Sequence, residues 1–196
     1  MIRALIFDCF GVIRHDNIRP AYRHFGGDVE KDNQFIIDTV AAANRGMIPN
    51  SGVVFAEKLG VSHAEWERVC HEIGALDQEL LDHILGLRAR YKIGLLSNVS
   101  RGGLQRWFTP EELTRYFDYA IGSGDVGHVK PEPAIYELTA ERLGVEPSQC
   151  VMIDDRQTFC DGAVAAGMQA IQYVDLPQLK RELELLLVAD SSQSER

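Results

Sequence analysis

The stretch that decides the fold is RALIFDCFGVIRHD, residues 3 to 16. It begins with a short apolar run, which is typical of a strand buried on both faces of a parallel sheet. The run ends at Asp8, so this strand is predicted to carry a carboxylate at its carboxyl end. Phe10 follows two residues later and brings no second acid. The stretch therefore raises the question of whether one carboxylate at a strand end is enough for catalysis.

Later apolar runs of strand length alternate with helical patterns. The runs are IGLLS at 93 to 97, YAIGS at 119 to 123, CVMID at 150 to 154 and QAIQYV at 169 to 174. Helical patterns lie near 102 to 117, 131 to 144 and 158 to 168, and a closing helix has Pro177 in its first turn. This alternation predicts an α/β fold with a doubly wound parallel sheet.

The first gap between strands breaks that alternation. Only helical patterns occur between Val12 and about Leu85, for example FIIDTVAAANRG and SHAEWERVCHEIG. We therefore predict a core domain at 1–13 and 84–196 and a small all-helical cap domain at 14–83, inserted after the first strand. An insertion at that point is expected to lie over the edge of the sheet like a lid.

Composition and charge exclude several classes of protein. The formal net charge is -9, which disfavours binding to a nucleic-acid backbone. No apolar run approaches the roughly 20 residues of a membrane span, so we expect no membrane association. Four cysteines without a CxxC pair, and no signal peptide before Ile2, predict reduced thiols and a cytoplasmic location.

Polar side chains collect where the predicted strands end. Ligands of an open parallel sheet bind outside the carboxyl ends of its strands. The polar residues near that edge are Asp8, Ser97, Asn98, Lys130, Asp154 and Asp155. Each alone is a weak signal, because such side chains also form turns and helix caps. Their convergence from four separate segments of the chain indicates a site.

This set of residues suits attack by a carboxylate on phosphorus. Asp8 is the candidate nucleophile, and an aspartyl phosphate formed there is then hydrolysed by water. Mg²⁺ bound by Asp155, with Asp154 beside it, would offset the negative charge. Lys130 would balance the clustered acids and hold the phosphoryl group, while the Ser97 hydroxyl binds its oxygens.

The motifs LIFDCFGVI, LLSNVS, KPEPAIYE and MIDDR occur in this order along the chain. As an ordered set they resemble the motifs of the haloacid dehalogenase-like (HAD) hydrolase superfamily, and their residues are most similar to those of its glucose-1-phosphate phosphatase-like branch. The resemblance implies a Rossmann-like core, a helical cap, and an Asp nucleophile with Mg²⁺ in the phosphatase members. Carried over, the catalytic residues are Asp8, Ser97, Asn98 and Lys130, and the metal ligands are Asp8, the Phe10 backbone carbonyl, Asp154 and Asp155.

Phe10 is the main departure from that pattern. Most phosphatases of the superfamily have an Asp there, which protonates the leaving oxygen and later activates water; such help is worth about 10² to 10⁴-fold. The glucose-1-phosphate phosphatase-like branch also lacks this acid, so its loss does not by itself abolish phosphatase chemistry. Phe159, where many relatives have Asp or Asn, predicts a weakened outer shell around the metal or Lys130.

Phe10 also keeps a rival reaction open. The 2-haloacid dehalogenases of the superfamily carry an aromatic residue at this place and attack carbon without a metal, and Tyr136 matches a tyrosine of their pattern. They lack the acidic pair, so Mg²⁺-dependent hydrolysis of small phosphomonoesters, with sugar phosphates as a candidate class, fits better. A weakly active or inactive protein that binds phosphorylated ligands is the third alternative.

Selection of the substrate is assigned to the cap. Arg14 and His15 leave the site directly and Arg45 ends a predicted helix, so these three residues are the candidate substrate contacts. The expected partner is a small phosphorylated metabolite, and the chain is expected to be a monomer or a homodimer.

Overall fold

The computed structural model describes residues 1–194, and five parallel strands form one sheet at its centre. The strands are β1 (Ala4–Phe7), β2 (Lys92–Ser97), β3 (Tyr119–Gly122), β4 (Cys150–Asp154) and β5 (Gln169–Gln172). Their order across the sheet is β3-β2-β1-β4-β5, which confirms the predicted doubly wound parallel sheet. The strand order reverses between β1 and β4, and ligands of such sheets bind at that switch point.

Helices connect the strands on both faces. Between β1 and β2 lie α1 (Ile18–His24), α2 (Asn33–Asn44), α3 (Ser51–Leu59), α4 (His63–Ile73) and α5 (Gln78–Leu87). Between β2 and β3 lie α6 (Gly103–Trp107) and α7 (Pro110–Tyr116). The segment before β4 contains α8 (Ser123–Val126), α9 (Pro133–Leu143) and a 3₁₀ helix (Pro147–Gln149). Finally, α10 (Gln157–Ala165) precedes β5 and α11 (Leu176–Ser194) follows it.

The single helix expected near 102 to 117 is instead the pair α6 and α7. The Thr109 hydroxyl accepts a hydrogen bond from the Glu112 N–H at 3.2 Å, and the Glu112 carboxylate accepts one from the Thr109 N–H at 2.8 Å. This reciprocal cap starts a new helix. Pro110 in the first turn of α7 disfavours helical backbone at the residue before it. The break leaves Trp107 at the end of α6.

Alternate residues of β1 enter two different cores. Leu5 and Phe7 belong to the hydrophobic cluster on one face of the sheet, and Ala4 and Ile6 belong to the cluster on the other face. All four side chains are fully buried, and a large apolar side chain contributes roughly 1.5 to 3 kcal/mol when it is buried. Burial on both faces explains why this strand reads as an unbroken apolar run.

The register brings the carboxyl ends of β1, β2 and β4 to one level. Phe7 is paired with Leu95 on one side and with Ile153 on the other. The N–H of Asp8 donates a hydrogen bond to the Ile153 carbonyl oxygen at 2.9 Å. The residues that follow these pairs therefore emerge together at one edge of the sheet.

Helices α1 to α4 share a hydrophobic cluster of their own. Its largest members include Tyr22, Phe55 and Trp66. The Phe55 ring lies with its centroid 5.7 Å from that of Tyr22 and 5.4 Å from that of Trp66. These four helices are thus held together by side chains outside the two clusters of the sheet.

Helix α5 packs with the sheet instead. Its residues Leu80, Leu81 and Ile84 belong to the same cluster as Leu5 and Phe7. The division into a core domain at 1–13 and 84–196 and a cap domain at 14–83 stays a prediction. Residues 195 and 196 of the predicted core domain lie outside the described residues. The packing of α5 favours a second boundary near Asp77.

The cysteines are buried and unpaired. Burial raises the pKa of each thiol, for example that of Cys160 to about 11, so these thiols are protonated at neutral pH.

Across residues 1–194, no helix combines the length and the apolar composition that crossing a bilayer requires.

We expect Phe55→Ala to loosen α1 to α4 while the sheet stays intact. Loss of a buried aromatic ring typically lowers the free energy of unfolding by about 3 to 5 kcal/mol. Phe55 belongs only to the hydrophobic cluster shared by α1 to α4. Amide hydrogen exchange should become faster in α1 to α4 and stay slow in β1, β2 and β4. The matched control Leu5→Ala should accelerate exchange in the strands. Equal loss of protection in both parts from Phe55→Ala would contradict a separate cap.

Candidate active site

A buried lysine joins two carboxylates at the carboxyl edge of the sheet. Asp8 follows β1, Asp154 ends β4, and Lys130 lies in the loop between α8 and α9. The Lys130 Nζ lies 2.7 Å from Asp8 Oδ1 and 2.5 Å from Asp154 Oδ2. All three side chains are buried. The structure thus brings three of the predicted site residues into one ionic cluster.

Burial and mutual charge decide the protonation of this cluster. Desolvation raises the pKa of Asp8 to about 7; the Asp154 charge adds to this effect and Lys130 opposes it. Burial alone would lower the pKa of Lys130, but the two carboxylates outweigh it and the pKa is raised. Lys130 is therefore a permanent positive charge, whereas the ionisation of Asp8 depends on further positive charge nearby.

Asn98 and Phe159 hold Lys130 in place. The Asn98 Nδ2 donates to the Lys130 carbonyl oxygen at 3.0 Å, and its Oδ1 accepts from the Lys130 N–H at 2.9 Å. The Lys130 Nζ lies 4.9 Å from the centroid of the Phe159 ring, a cation–π distance. Asn98, predicted as a catalytic residue, thus has both ends of its amide engaged in positioning Lys130.

Asp155 supplies a third carboxylate. One oxygen each of Asp8, Asp154 and Asp155 lie within 4.8 Å of one another. The Oδ1 of Asp155 is buried and has no hydrogen-bond partner among residues 1–194. Burial and the Asp154 charge raise the pKa of Asp155. A buried acceptor without a partner is costly, so this oxygen is open to a hard cation, which prefers carboxylate ligands.

The charge of the cluster fits a divalent cation. When all three carboxylates are ionised, they and the one ammonium group leave two net negative charges at this edge of the sheet. Asp154 accepts from Lys130 through Oδ2 and from the Arg156 N–H through Oδ1, whereas Asp155 Oδ1 has no partner. Asp155 and Asp8 are therefore better placed to bind a metal directly, and Asp154 to act through water. The assignment of metal ligands from the sequence stays a prediction that this geometry favours.

A cavity of about 660 Å³ lies against the cluster. Asp8, Ser97, Lys130 and Asp155 line it. Phe10 lines it as well, and its ring packs edge-to-face against that of Trp107 with centroids 5.2 Å apart. The position of the missing acid is thus filled by an aromatic contact that faces the cavity.

The candidate substrate contacts lie in different surroundings. Arg45 lines the cavity, and its Nη1 lies 2.7 Å from Glu132 Oε1. His15 is exposed and does not line the cavity. Arg14 is buried outside the cavity, where its guanidinium donates to the carbonyl oxygens of Gly74 and Trp107. Arg14 therefore bridges the end of α4 and the end of α6, because the two accepting carbonyl oxygens lie there.

Sequence reasoning missed two residues that shape the site. Gly11 has a φ of 96°, and a Cβ there would lie 2.6 Å from Asp155 Cγ. A glycine three residues after a strand-end carboxylate is a signal that sequence alone offers. Ser123 is fully buried, and its hydroxyl donates to the Asn44 carbonyl oxygen at 2.7 Å, which links the segment after β3 to the end of α2. No local pattern distinguishes this serine.

Comparison with known proteins adds to this geometry. The family model of the haloacid dehalogenase-like hydrolases matches residues 2–167. Fructose-1-phosphate phosphatase YqaB of Escherichia coli (strain K12) is 42% identical over 59 residues, which is 30% of this chain and 31% of that protein. D-ribitol-5-phosphate phosphatase of Bacteroides thetaiotaomicron is 30% identical over 118 residues, 57% of each chain. The matched regions thus span 31% and 57% of the two relatives, less than two thirds of either.

A solved structure shares the fold over nearly the whole chain. It is a HAD family enzyme from Bacteroides thetaiotaomicron in complex with magnesium and inorganic phosphate. The TM-score is 0.71 at 22% sequence identity, and the match covers 91% of this chain and 99% of that one. At this identity the likeness establishes the fold.

We expect Asp155→Asn to weaken Mg²⁺ binding by about tenfold or more, because the change removes a negative charge and a hard oxygen ligand. Calorimetric titration with Mg²⁺ alone measures this without any substrate. Asp161→Asn, the same substitution at an exposed position on α10, serves as the control and should bind Mg²⁺ like the unmodified chain. Equal affinity of the two variants for Mg²⁺ would show that Asp155 is not a metal ligand.

Proposed function

The chain belongs to the haloacid dehalogenase-like hydrolase family, and we propose that it is a Mg²⁺-dependent hydrolase of small phosphomonoesters that works through an aspartyl phosphate at Asp8. The observation that carries the proposal is the clustering of Asp8, Asp154 and Asp155 around Lys130. Two net negative charges beside an open carboxylate oxygen suit a divalent cation. The phosphatase names of the two relatives support the same reaction class.

Asp8 acts as the nucleophile in this proposal. Its carboxylate oxygen bonds to phosphorus while the ester P–O bond to the leaving group breaks, and water then cleaves the aspartyl phosphate. Lys130 offsets negative charge and binds a phosphoryl oxygen, together with the Ser97 hydroxyl. Mg²⁺, held by Asp8, Asp155 and the Phe10 carbonyl, would supply the positive charge that lets an anionic nucleophile approach an anionic ester.

The cap limits access of water and selects the substrate. Helix α2 reaches the core at its last turn, where the Asn44 carbonyl oxygen accepts from the Ser123 hydroxyl at 2.7 Å. The adjacent Arg45 pairs with Glu132, two residues after Lys130. A cap held this close to the catalytic lysine can exclude solvent from the cavity.

Carbon-centred hydrolysis of the 2-haloacid dehalogenase type is less well supported. Tyr136, the residue that matches the dehalogenase pattern, is fully buried, and its hydroxyl donates to the Phe159 carbonyl oxygen at 2.7 Å. It does not line the cavity. Asp155 would also place uncompensated charge beside a carboxylate substrate. The alternative of a protein that only binds phosphorylated ligands is tested by turnover, because such a protein would bind the ester without releasing phosphate.

Asp8→Asn is expected to abolish phosphate release, with activity falling by about 10³-fold or more, because an amide cannot replace the carboxylate nucleophile. The assay follows inorganic phosphate from sugar phosphates and from 4-nitrophenyl phosphate, with Mg²⁺ and with excess chelator. Chelator should remove the activity of the unmodified chain. Asp161→Asn is the control for the substitution itself. Near-normal turnover by Asp8→Asn would show that another residue is the nucleophile.

Phe10→Asp tests whether the missing acid limits the rate. General acid help is worth about 10² to 10⁴-fold, so we expect a gain of about tenfold or more on sugar phosphates, whose leaving groups are poor. The activated ester 4-nitrophenyl phosphate should gain little. Phe10→Leu removes the contact with Trp107 without adding an acid and should help neither substrate. The same gain on both esters would point to altered packing instead of proton transfer.

A further inference from the structure

The cavity beside the nucleophile contains an apolar wall. Ile37 and Val40 of α2 and Ile18 of α1 line it from the cap, and Phe10 and Trp107 line it from the core. Ile37 is 45% exposed and belongs to none of the three hydrophobic clusters of residues 1–194. Because packing of the protein itself leaves this side chain uncovered, its apolar surface is available to a ligand.

Three polar side chains on the cap side of the cavity are engaged within the chain, whereas those of Asp16, Asn44 and Ser51 line it without such a partner among residues 1–194. Arg19 donates to Asn33 and Arg45 pairs with Glu132, both at 2.7 Å. Asn50 accepts from a backbone N–H at 2.8 Å. A sugar with several hydroxyl groups needs unengaged donors and acceptors around it, because unpaired polar groups are costly to bury. The part of the cap side beside Ile37 and Val40 therefore suits an apolar group, because the neighbouring Arg19 and Arg45 are already paired.

The chemistry at Phe10 leads to the same class of ligand. A benzyl side chain has no proton for a leaving oxygen. His71, which also lines the cavity, packs against Trp107 with the two rings tilted at 36° and their centroids 4.2 Å apart. Burial and the Arg14 charge lower the pKa of His71, so its imidazole is neutral near pH 7 and a poor acid. A phenol, with a pKa of about 10 like that of tyrosine, departs as an anion far more readily than an aliphatic alcohol.

We propose that the substrate is a phosphate monoester of an aromatic alcohol. This rests on the proposed function and narrows it to one class of leaving group. The Asp8 carboxylate bonds to phosphorus as the bond from phosphorus to the aryl oxygen breaks. The electron pair leaves with that oxygen as an aryloxide, which takes a proton from water. A water molecule then adds to phosphorus, the aspartyl bond breaks, Asp8 is restored as a carboxylate, and phosphate and a proton are released.

The ring of the leaving group occupies the space beside Ile37 and Val40. Phe10 and Trp107 cover it from the opposite side, where edge-to-face contact between aromatic rings is favourable. Phe10 thus contributes to substrate selection. It stands in the place of the general acid, and its ring forms part of the wall that favours a substrate whose leaving group needs no protonation.

The first test compares phenyl phosphate with cyclohexyl phosphate, two rings of similar size that differ in leaving-group acidity. With Mg²⁺, kcat/KM for phenyl phosphate should be larger by about 10²-fold or more, the value of the general acid that is missing. Glucose 6-phosphate should be slower than phenyl phosphate as well. Equal rates for the phenyl and cyclohexyl esters would overturn the proposal, because they would reveal an acid that the cap supplies.

The second test concerns the wall itself. Ile37→Asn should raise KM for phenyl phosphate by about three- to tenfold and change kcat little, because it removes apolar contact with the ring without touching the reacting atoms. Val53→Asn is the matched control, since Val53 is 46% exposed on α3 and does not line the cavity. It should leave both constants unchanged. Unchanged KM in Ile37→Asn would overturn the placement of the ring.

Failure of this proposal and failure of the proposed function give different results. Mg²⁺-dependent release from glucose 6-phosphate that exceeds release from phenyl phosphate would overturn the aromatic substrate and leave the phosphatase intact. Absence of Mg²⁺-dependent, Asp8-dependent release from every ester would overturn both.

Discussion

The structure depends on one buried lysine between two acids. The parallel register of β1 and β4 places Asp8 and Asp154 side by side at the edge of the sheet, where two like charges out of water would repel strongly. Lys130 lies within ion-pair distance of both. Removing one partner of a buried ion pair commonly costs about 3 to 5 kcal/mol. Asn98 holds the backbone of Lys130 accordingly, and the ring of Phe159 lies beside its ammonium group.

This arrangement leaves a residual charge that the chain does not neutralise. Asp155 has a buried oxygen without a partner among the described residues, and Gly11 keeps its neighbourhood free of a Cβ. Both features are unfavourable for the protein alone and favourable for a bound cation. Catalytic sites often keep such uncompensated groups, because they attract a metal ion whose positive charge then acts on the reacting atoms.

Phe10 is linked to α4 through a chain of ring contacts. Its ring contacts that of Trp107, and Trp107 in turn packs against the tilted ring of His71 on α4. The guanidinium of Arg14 lies 5.3 Å from the Trp107 ring and 5.0 Å from that of Phe108. Phe10 is thus part of the packing that joins the segment after β1 to α4. Its effect on substrate choice follows from the same contacts, since the wall they form lines the cavity.

The sequence by itself determined the five strands and the doubly wound sheet, because apolar runs of strand length alternate with helical patterns. It also indicated the acids of the ionic cluster, because polar residues at the carboxyl ends of parallel strands emerge at one edge of the sheet. Only the tertiary structure decided that Arg14 is a tether, that Asn98 positions Lys130, and that α5 belongs with the sheet. The physical reason is that periodicity reports which face of an element is buried, whereas hydrogen-bond partners and cavity walls depend on which distant segments meet.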